Sequence, residues 1–227
     1  MENEIKEKLE LVRSRIDAAA KAAGQKDVKL IAVSKFQSVE AICAAAAAGA
    51  RCFGENYVQE LCGKIPLVPA GAEWHLIGPL QSNKVKYIAG KGITVQSVDR
   101  LSVARALSKY SLQAGRPTPV LLQVNTCGED TKSGVEPENL QLLFEEAGAL
   151  EGIQVEGLMT IGPNTADEYA VQRCFEQTKV LFDRLNGQDA RFRTLSMGMS
   201  HDFEMAIRCG ANMVRVGSMI FGQRVKK

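Results

Sequence analysis

The sequence lacks the marks of a secreted, membrane-bound or nucleic-acid-binding chain. No run approaches the roughly 18 apolar residues of a membrane helix. The opening stretch MENEIKEKLELVRSRID is charged and helical in pattern, with no apolar secretory core. The six cysteines (Cys43, Cys52, Cys62, Cys127, Cys174 and Cys209) form no CxxC pair and no metal-ligand spacing, so reduced thiols in a cytoplasm are the simplest reading. Charge of either sign is not in excess: 28 basic against 26 acidic residues leave a net +2 with no basic stripe, and so no electrostatic reason to expect nucleic acid. The closing Lys226-Lys227 reads as a solvated end. No GxGxxG follows the first strand pattern, which argues against an open dinucleotide-binding sheet.

What is present is a repeating alternation. With 227 residues, 45 % of them hydrophobic, the chain has the size of one α/β barrel. Ile5, Leu9, Val12 and Ile16 form a helical stripe within residues 3–23. VKLIAVS (28–34) is then a short β-branched run of the kind that forms a buried strand. Ser38 can cap the helix that follows, and Gly49 can stop it. Seven more strand patterns follow: RCFGE, EWHLIG, ITVQSV, TPVLLQVN, IQVEGLMT, FRTLSMG and NMVRVGSMIFG. A helix pattern separates each consecutive pair, among them QSNKVKYIAG, a helix that Asp99 could cap, and SHDFEMAIRCG. Eight such units predict a closed parallel (β/α)8 TIM barrel with an extra N-terminal helix, and residues 1–227 read as one domain.

Barrel sites lie at the C-terminal ends of the strands. Lys35 stands there, sharing one strand face with Ile31 and Val33. If that face looks inward, the amine is partly desolvated and suited to form an imine. If not, Lys35 snorkels to solvent. Arg215, between Val214 and Val216, points inward if the valines pack on helices. It would then pair internally with Glu55 or Glu156, or donate to a ring nitrogen or an anion. GMSHDF after strand seven and VGS at strand eight place glycines, Ser200 and Ser218 where barrels often bind phosphate. Ser200 could equally be a plain helix cap, and Asn56 likewise. His75 reads as a bonded core residue and His201 as exposed. Lys132 is the one other lysine that this reading places near the rim.

AVSK, FGENYVQE, WHLIGPLQSNK, QSVDR, KSGV, GLMTIGP, LSMGMS and MVRVGSMIFG, in that order from about Lys29 to Gly222, resemble the pyridoxal 5′-phosphate (PLP) homeostasis family of YggS/PROSC type, related to the barrel domain of alanine racemase. The resemblance implies that Lys35 holds PLP as a Schiff base and that Asn56 lies close to it. It implies that Ser200, Gly217 and Ser218, with the backbone of Met199 and Gly198, cradle the phosphate, and that Arg215 faces the pyridine nitrogen. It implies a carrier that buffers vitamin B6, with PLP-dependent apoenzymes as recipients, no robust catalysis, no metal and no membrane or nucleic-acid partner. A cytoplasmic monomer is expected. A racemase-like enzyme is the alternative, but such racemases take a tyrosine base from a second domain, which is not expected in a chain ending at Lys227. Three positions depart from the family pattern. Gln37 stands where many members carry a second lysine, Ser218 where threonine is common, and His201 where an acid is common.

Overall fold

In the computed structural model, which describes residues 2–128 and 133–222, eight parallel strands close into a barrel in strict sequence order. The strands are β1 (Lys29–Val33), β2 (Cys52–Glu55), β3 (Glu73–Leu76), β4 (Ile93–Val98), β5 (Thr118–Gln123), β6 (Ile153–Met159), β7 (Thr194–Ser196) and β8 (Met213–Val216). The helices are α1 (Glu2–Ala22), α2 (Val39–Ala47), α3 (Val58–Lys64), α4 (Leu101–Gln113), α5 (Leu140–Gly148), α6 (Glu168–Asn186), α7 (Phe203–Arg208) and α8 (Ser218–Phe221). Lys132, Lys226 and Lys227 lie outside the described residues.

The strands show two packing faces because side chains alternate. Phe53, Trp74, Val95, Leu122, Leu158, Leu195 and Val214 face outward into the main core beneath the helices. Ile31, Cys52, Leu121, Met159 and Met213 form a smaller cluster inside the barrel. Phe53, Phe175, Phe192 and Phe203 are among the fully buried side chains of the outer core. Each contributes roughly 1.5–3 kcal/mol by leaving water, so the helix–sheet layer carries most of the apolar stabilisation.

Three sequence expectations change. The β3–β4 crossover is a 3-10 helix, Ser82–Tyr87, rather than an α-helix. Its buried Val85 and the buried Ile88 that caps it are three apart, which suits three residues per turn. Asp99 does not cap α4; Arg100 holds the N-cap position without a side-chain bond. The last strand stops at Val216, and Ser218–Phe221 turns into a helix.

Helix α1 buries Ile5, Leu9, Val12 and Ile16, the predicted stripe. It packs against α2, α7 and α8. Arg15 holds both carboxylate oxygens of Glu204 at 2.8 Å, and Arg13 donates to the Gly49 carbonyl at 2.6 Å. Among the described residues no helix is long and apolar enough to cross a membrane.

Candidate functional site

The first and last strands pair in parallel, with Ile31 beside Arg215 and Ala32 beside Val216. Since Ile31 lies in the barrel-interior cluster, Val33 and Lys35 follow on the inner face and Arg215 shares it. Lys35, Met199, Ser200, Arg215, Gly217 and Ser218 all border one cavity of about 200 Å³ at the C-terminal mouth, with Val33, Gln37, Ile77, His201 and Gly222. Lys35 is half-buried there.

Asn56 does not border that cavity. It follows β2 and packs against Gly78 so closely that a Cβ there would stand 2.4 Å from the Asn56 carbonyl oxygen. It is no helix cap: Tyr57 holds the N-cap position of α3, and no side chain caps it. The Asn56 Oδ1 is buried and accepts no hydrogen bond among the described residues. Such an orphaned acceptor costs about 1–3 kcal/mol, a cost that a donor on a bound molecule would offset.

Behind Lys35 the chain turns sharply. Phe36 adopts φ +63°, a left-handed conformation costly for a side chain with a Cβ. Three bonds hold the turn. The Phe36 N–H donates to Glu60 Oε1 at 2.6 Å, the Gln37 N–H to the Ser34 carbonyl at 3.0 Å, and Lys64 Nζ to the same carbonyl at 2.8 Å. Lys64 is buried and also pairs with Glu55 at 2.8 Å and Glu60 at 2.6 Å. Burial raises the Glu55 carboxyl above its ordinary range, while Lys64 and the Ser34 hydroxyl pull it back. Glu55 is therefore committed to Lys64 rather than to Arg215, and a second lysine stands at the rim that sequence reading overlooked. The Phe36 ring, 60 % exposed, lies 5.6 Å from Tyr57 beside the mouth.

Arg215 is buried and forms no ion pair among the described residues. Its Nη1 donates to Ser196 Oγ at 2.6 Å and its Nη2 to the Thr160 carbonyl at 2.7 Å. A guanidinium only donates, so Ser196 spends its own proton on Gln96 Oε1, 2.7 Å away. The Gln96 amide nitrogen then donates to His75 Nδ1 at 3.0 Å, leaving the ring proton on Nε2. One chain of hydrogen bonds thus runs down the barrel axis from mouth to floor. Burial pushes the guanidinium down to about 10, opposed by the Asp202 carboxylate, so it stays charged at neutral pH.

The loops after β7 and β8 meet through Ser200, whose Oγ accepts from the Gly217 N–H at 3.3 Å. Helix α7 does not start at Ser200 as the sequence suggests. It starts at Phe203, with Asp202 in the cap position. Two contacts impose this. Asp202 Oδ1 accepts from the Met199 N–H at 2.5 Å, and Gly198, at φ +93°, lies where a Cβ would meet Ala206 Cβ at 2.6 Å. A Cβ on Gly217 would stand 3.1 Å from the Val33 carbonyl oxygen, so strand and loop are in close contact. The Ser200 and Ser218 hydroxyls and the first amides of α8 offer donors to an anion. The Met199 N–H is already engaged by Asp202, whose carboxyl burial raises.

A larger cavity of about 610 Å³ lies at the opposite, N-terminal face, bordered by Lys29, Glu73, His75 and Glu156. There Cys52, Glu73 and His75 bring ligand-type atoms within 4.8 Å of one another, and the Lys29 ammonium, 2.5 Å from Glu73, supplies the positive charge. Burial lowers His75 to about 4, so the ring is neutral at pH 7. It is bonded within the core as the sequence suggested, although its Nε2 donates to nothing among the described residues.

The family model described as "Alanine racemase, N-terminal domain" matches residues 8–225. A pyridoxal phosphate homeostasis protein of Aquifex aeolicus is 42 % identical over 222 residues, 96 % of this chain and 97 % of that one. Its counterpart from Pseudomonas aeruginosa is 45 % identical over 224 residues, covering 97 % and 96 %. The structure of PipY from Synechococcus elongatus with PLP bound superposes with a TM-score of 0.83 at 35 % identity, covering 96 % of this chain and 100 % of that one.

Proposed function

We propose a function from one premise: the chain belongs to the pyridoxal phosphate homeostasis protein family, within the alanine racemase N-terminal domain family. It binds PLP at the barrel mouth and holds it for buffering and delivery. The observation that carries this reading is the convergence of Lys35, Arg215, Ser200 and Ser218 on one mouth cavity.

When bound, PLP supplies an aldehyde that condenses with a primary amine, and an electron-withdrawing ring. The protein side follows from the contacts. Lys35 presents the amine from the inner face at the end of β1. The Ser200 and Ser218 hydroxyls and the first amides of α8 hold the phosphate. Asn56 Oδ1, buried and without a donor among the described residues, lies outside the lining of that cavity. Arg215, locked by Ser196 and Thr160, would present its guanidinium to the ring nitrogen. A cation there would not protonate that nitrogen and would damp carbanion chemistry, which does not by itself exclude racemisation. The damping supports a carrier without robust catalysis.

In this reading residues 1–227 act as one PLP-binding domain. The protein is a cytoplasmic monomer, and PLP-dependent apoenzymes receive its cargo. A racemase-like enzyme is the second reading, favoured by the family-model match. The test is a visible absorption spectrum of the purified protein before and after borohydride, followed by peptide mapping. A visible band that borohydride bleaches, leaving the pyridoxyl group fixed on Lys35, supports the site. A protein that stays colourless when given PLP overturns it. Exchange of amino-acid Cα–H in deuterated water at enzymic rates would favour the racemase.

A further inference from the structure

Cys127 follows β5 on the mouth side of the barrel, and Cys174 lies in α6, 47 residues further along the chain. Their Sγ atoms are 3.0 Å apart. That is about 1 Å beyond a disulfide bond. It is also shorter than the separation at which carbon atoms, smaller than sulfur, rest in contact, about 3.5–4.0 Å.

The surroundings hold the two sulfurs in this position. The Cys127 N–H donates to Asn125 Oδ1 at 3.3 Å, and its Sγ lies 3.1 Å from the Ile161 carbonyl. Cys174 Sγ touches Thr126 Oγ1 at 3.2 Å, and Thr126 is bonded in turn to Thr178 at 2.7 Å. Cys174 is 3 % exposed, whereas Cys127 is half-buried. An oxidant therefore meets Cys127 first and finds a second thiol already in place behind it.

We propose that Cys127 and Cys174 form a two-electron oxidation site that a hydroperoxide closes into an intramolecular disulfide. The Cys127 sulfur attacks the peroxide O–O bond, forming an S–O bond and releasing water. Cys174 Sγ then attacks the Cys127 sulfur. The S–S bond forms, the S–O bond breaks and a second water leaves, so two thiols and one hydrogen peroxide give one disulfide and two waters. The other four cysteines have no such neighbour among the described residues. In a reducing compartment such a bridge is transient and chemically regulated rather than structural. The inference is independent of the cofactor reading, because no proposed PLP contact takes part.

The experiment uses the full chain, fully reduced and then treated with a small excess of hydrogen peroxide. The product is unfolded in the presence of an alkylating reagent and weighed intact and as peptides. The expected result is a loss of two hydrogens, alkylation at four cysteines instead of six, and a linked peptide pair joining Cys127 to Cys174. Thioredoxin or dithiothreitol restores all six thiols. Cys127→Ser, a change in a loop, abolishes the link; Cys174→Ser does the same if it folds. Alkylation at all six sites after treatment would overturn the proposal. So would sulfinic acid at Cys127 without a link, or bridges scattered among other cysteines or between chains.

Discussion

Lys64 Nζ lies 2.8 Å from the carbonyl oxygen of Ser34, the residue before Lys35. The same ammonium pairs with Glu55 and Glu60, and Glu60 holds the Phe36 N–H. A buried cation thus fixes the backbone on both sides of the lysine assigned to PLP. It keeps Phe36 in its left-handed conformation and aims the Lys35 side chain up the barrel.

Replacing Lys64 should therefore matter more for folding than replacing Lys35. Lys64→Met leaves Glu55 buried without its partner, a change that costs about 3–5 kcal/mol. For a chain of this size that lowers Tm by roughly 6–20 °C. Lys64→Met with Glu55→Leu should recover most of the loss. Calorimetry on the single and double variants checks this, and a single variant as stable as the wild type would refute the clamp.

Lys35→Ala should keep the fold, with a stability change of about 1 kcal/mol or less. It should abolish borohydride fixation of PLP. Retention of a fixed label on the same peptide would move the attachment point elsewhere.

Ser200→Ala with Ser218→Ala should weaken PLP binding. Each lost bond to a charged phosphate is worth about 1.5–3 kcal/mol, so the pair predicts at least a hundredfold rise in Kd by equilibrium dialysis. Asp202→Asn should act in the opposite direction. It removes a negative charge beside the cradle and keeps an oxygen for the Met199 N–H.

Ser196→Ala breaks the axial chain at its centre. It strips an acceptor from Arg215 and a donor from Gln96, both buried, at a cost of about 2–4 kcal/mol. It should also shift the absorption of bound PLP, because Arg215 loses its fixed orientation. Lost stability with an unchanged spectrum would mean that Arg215 does not face the ring.

His75 makes acid sensitivity predictable. Its folded-state value of about 4 is below the ordinary histidine value of 6.5, so the unfolded chain takes up a proton that the folded chain refuses. The neutral ring's contribution is present above about 6.5 and is lost as pH falls towards 4, by about 3 kcal/mol. Denaturant titrations across that window should show the fall, and His75→Gln should flatten it. An equal slope in the variant would assign the acid sensitivity to other groups.

Much of the barrel could be read in the chain, because strand and helix periods alternate and each inward residue has outward neighbours of its own kind. Lys35 stood out as a charge at the end of an apolar strand run, and Arg215 as a charge between two valines. Their common inward face needed the β1–β8 register, which no single strand contains. Lys64 was hidden because its helix reads as an ordinary surface helix, and only closure against β2 makes its ammonium a buried partner. Gln96 and Ser196 sit in strands that the sequence shows, but as polar residues within apolar runs they acquire meaning only when two sides of the barrel meet across its axis. Helix α7 was misjudged at its start, which Asp202 sets through its contact with Met199, and α8 was read as the end of the last strand because SMIF carries a strand-like apolar run.

Helix α1 packs against α2, α7 and the short α8, the helices that flank the junction of β1 and β8. During synthesis α1 emerges long before β8 and has to wait for its seat. Ring closure joins residues about two hundred positions apart, the kind of non-local contact that slows folding. Until β8 arrives, the edges of β1 and β7 and the apolar stripe of α1 stay uncovered. The same final event that seals the barrel also builds the mouth cavity, so a chain interrupted before its last strand has neither a closed sheet nor a cofactor site.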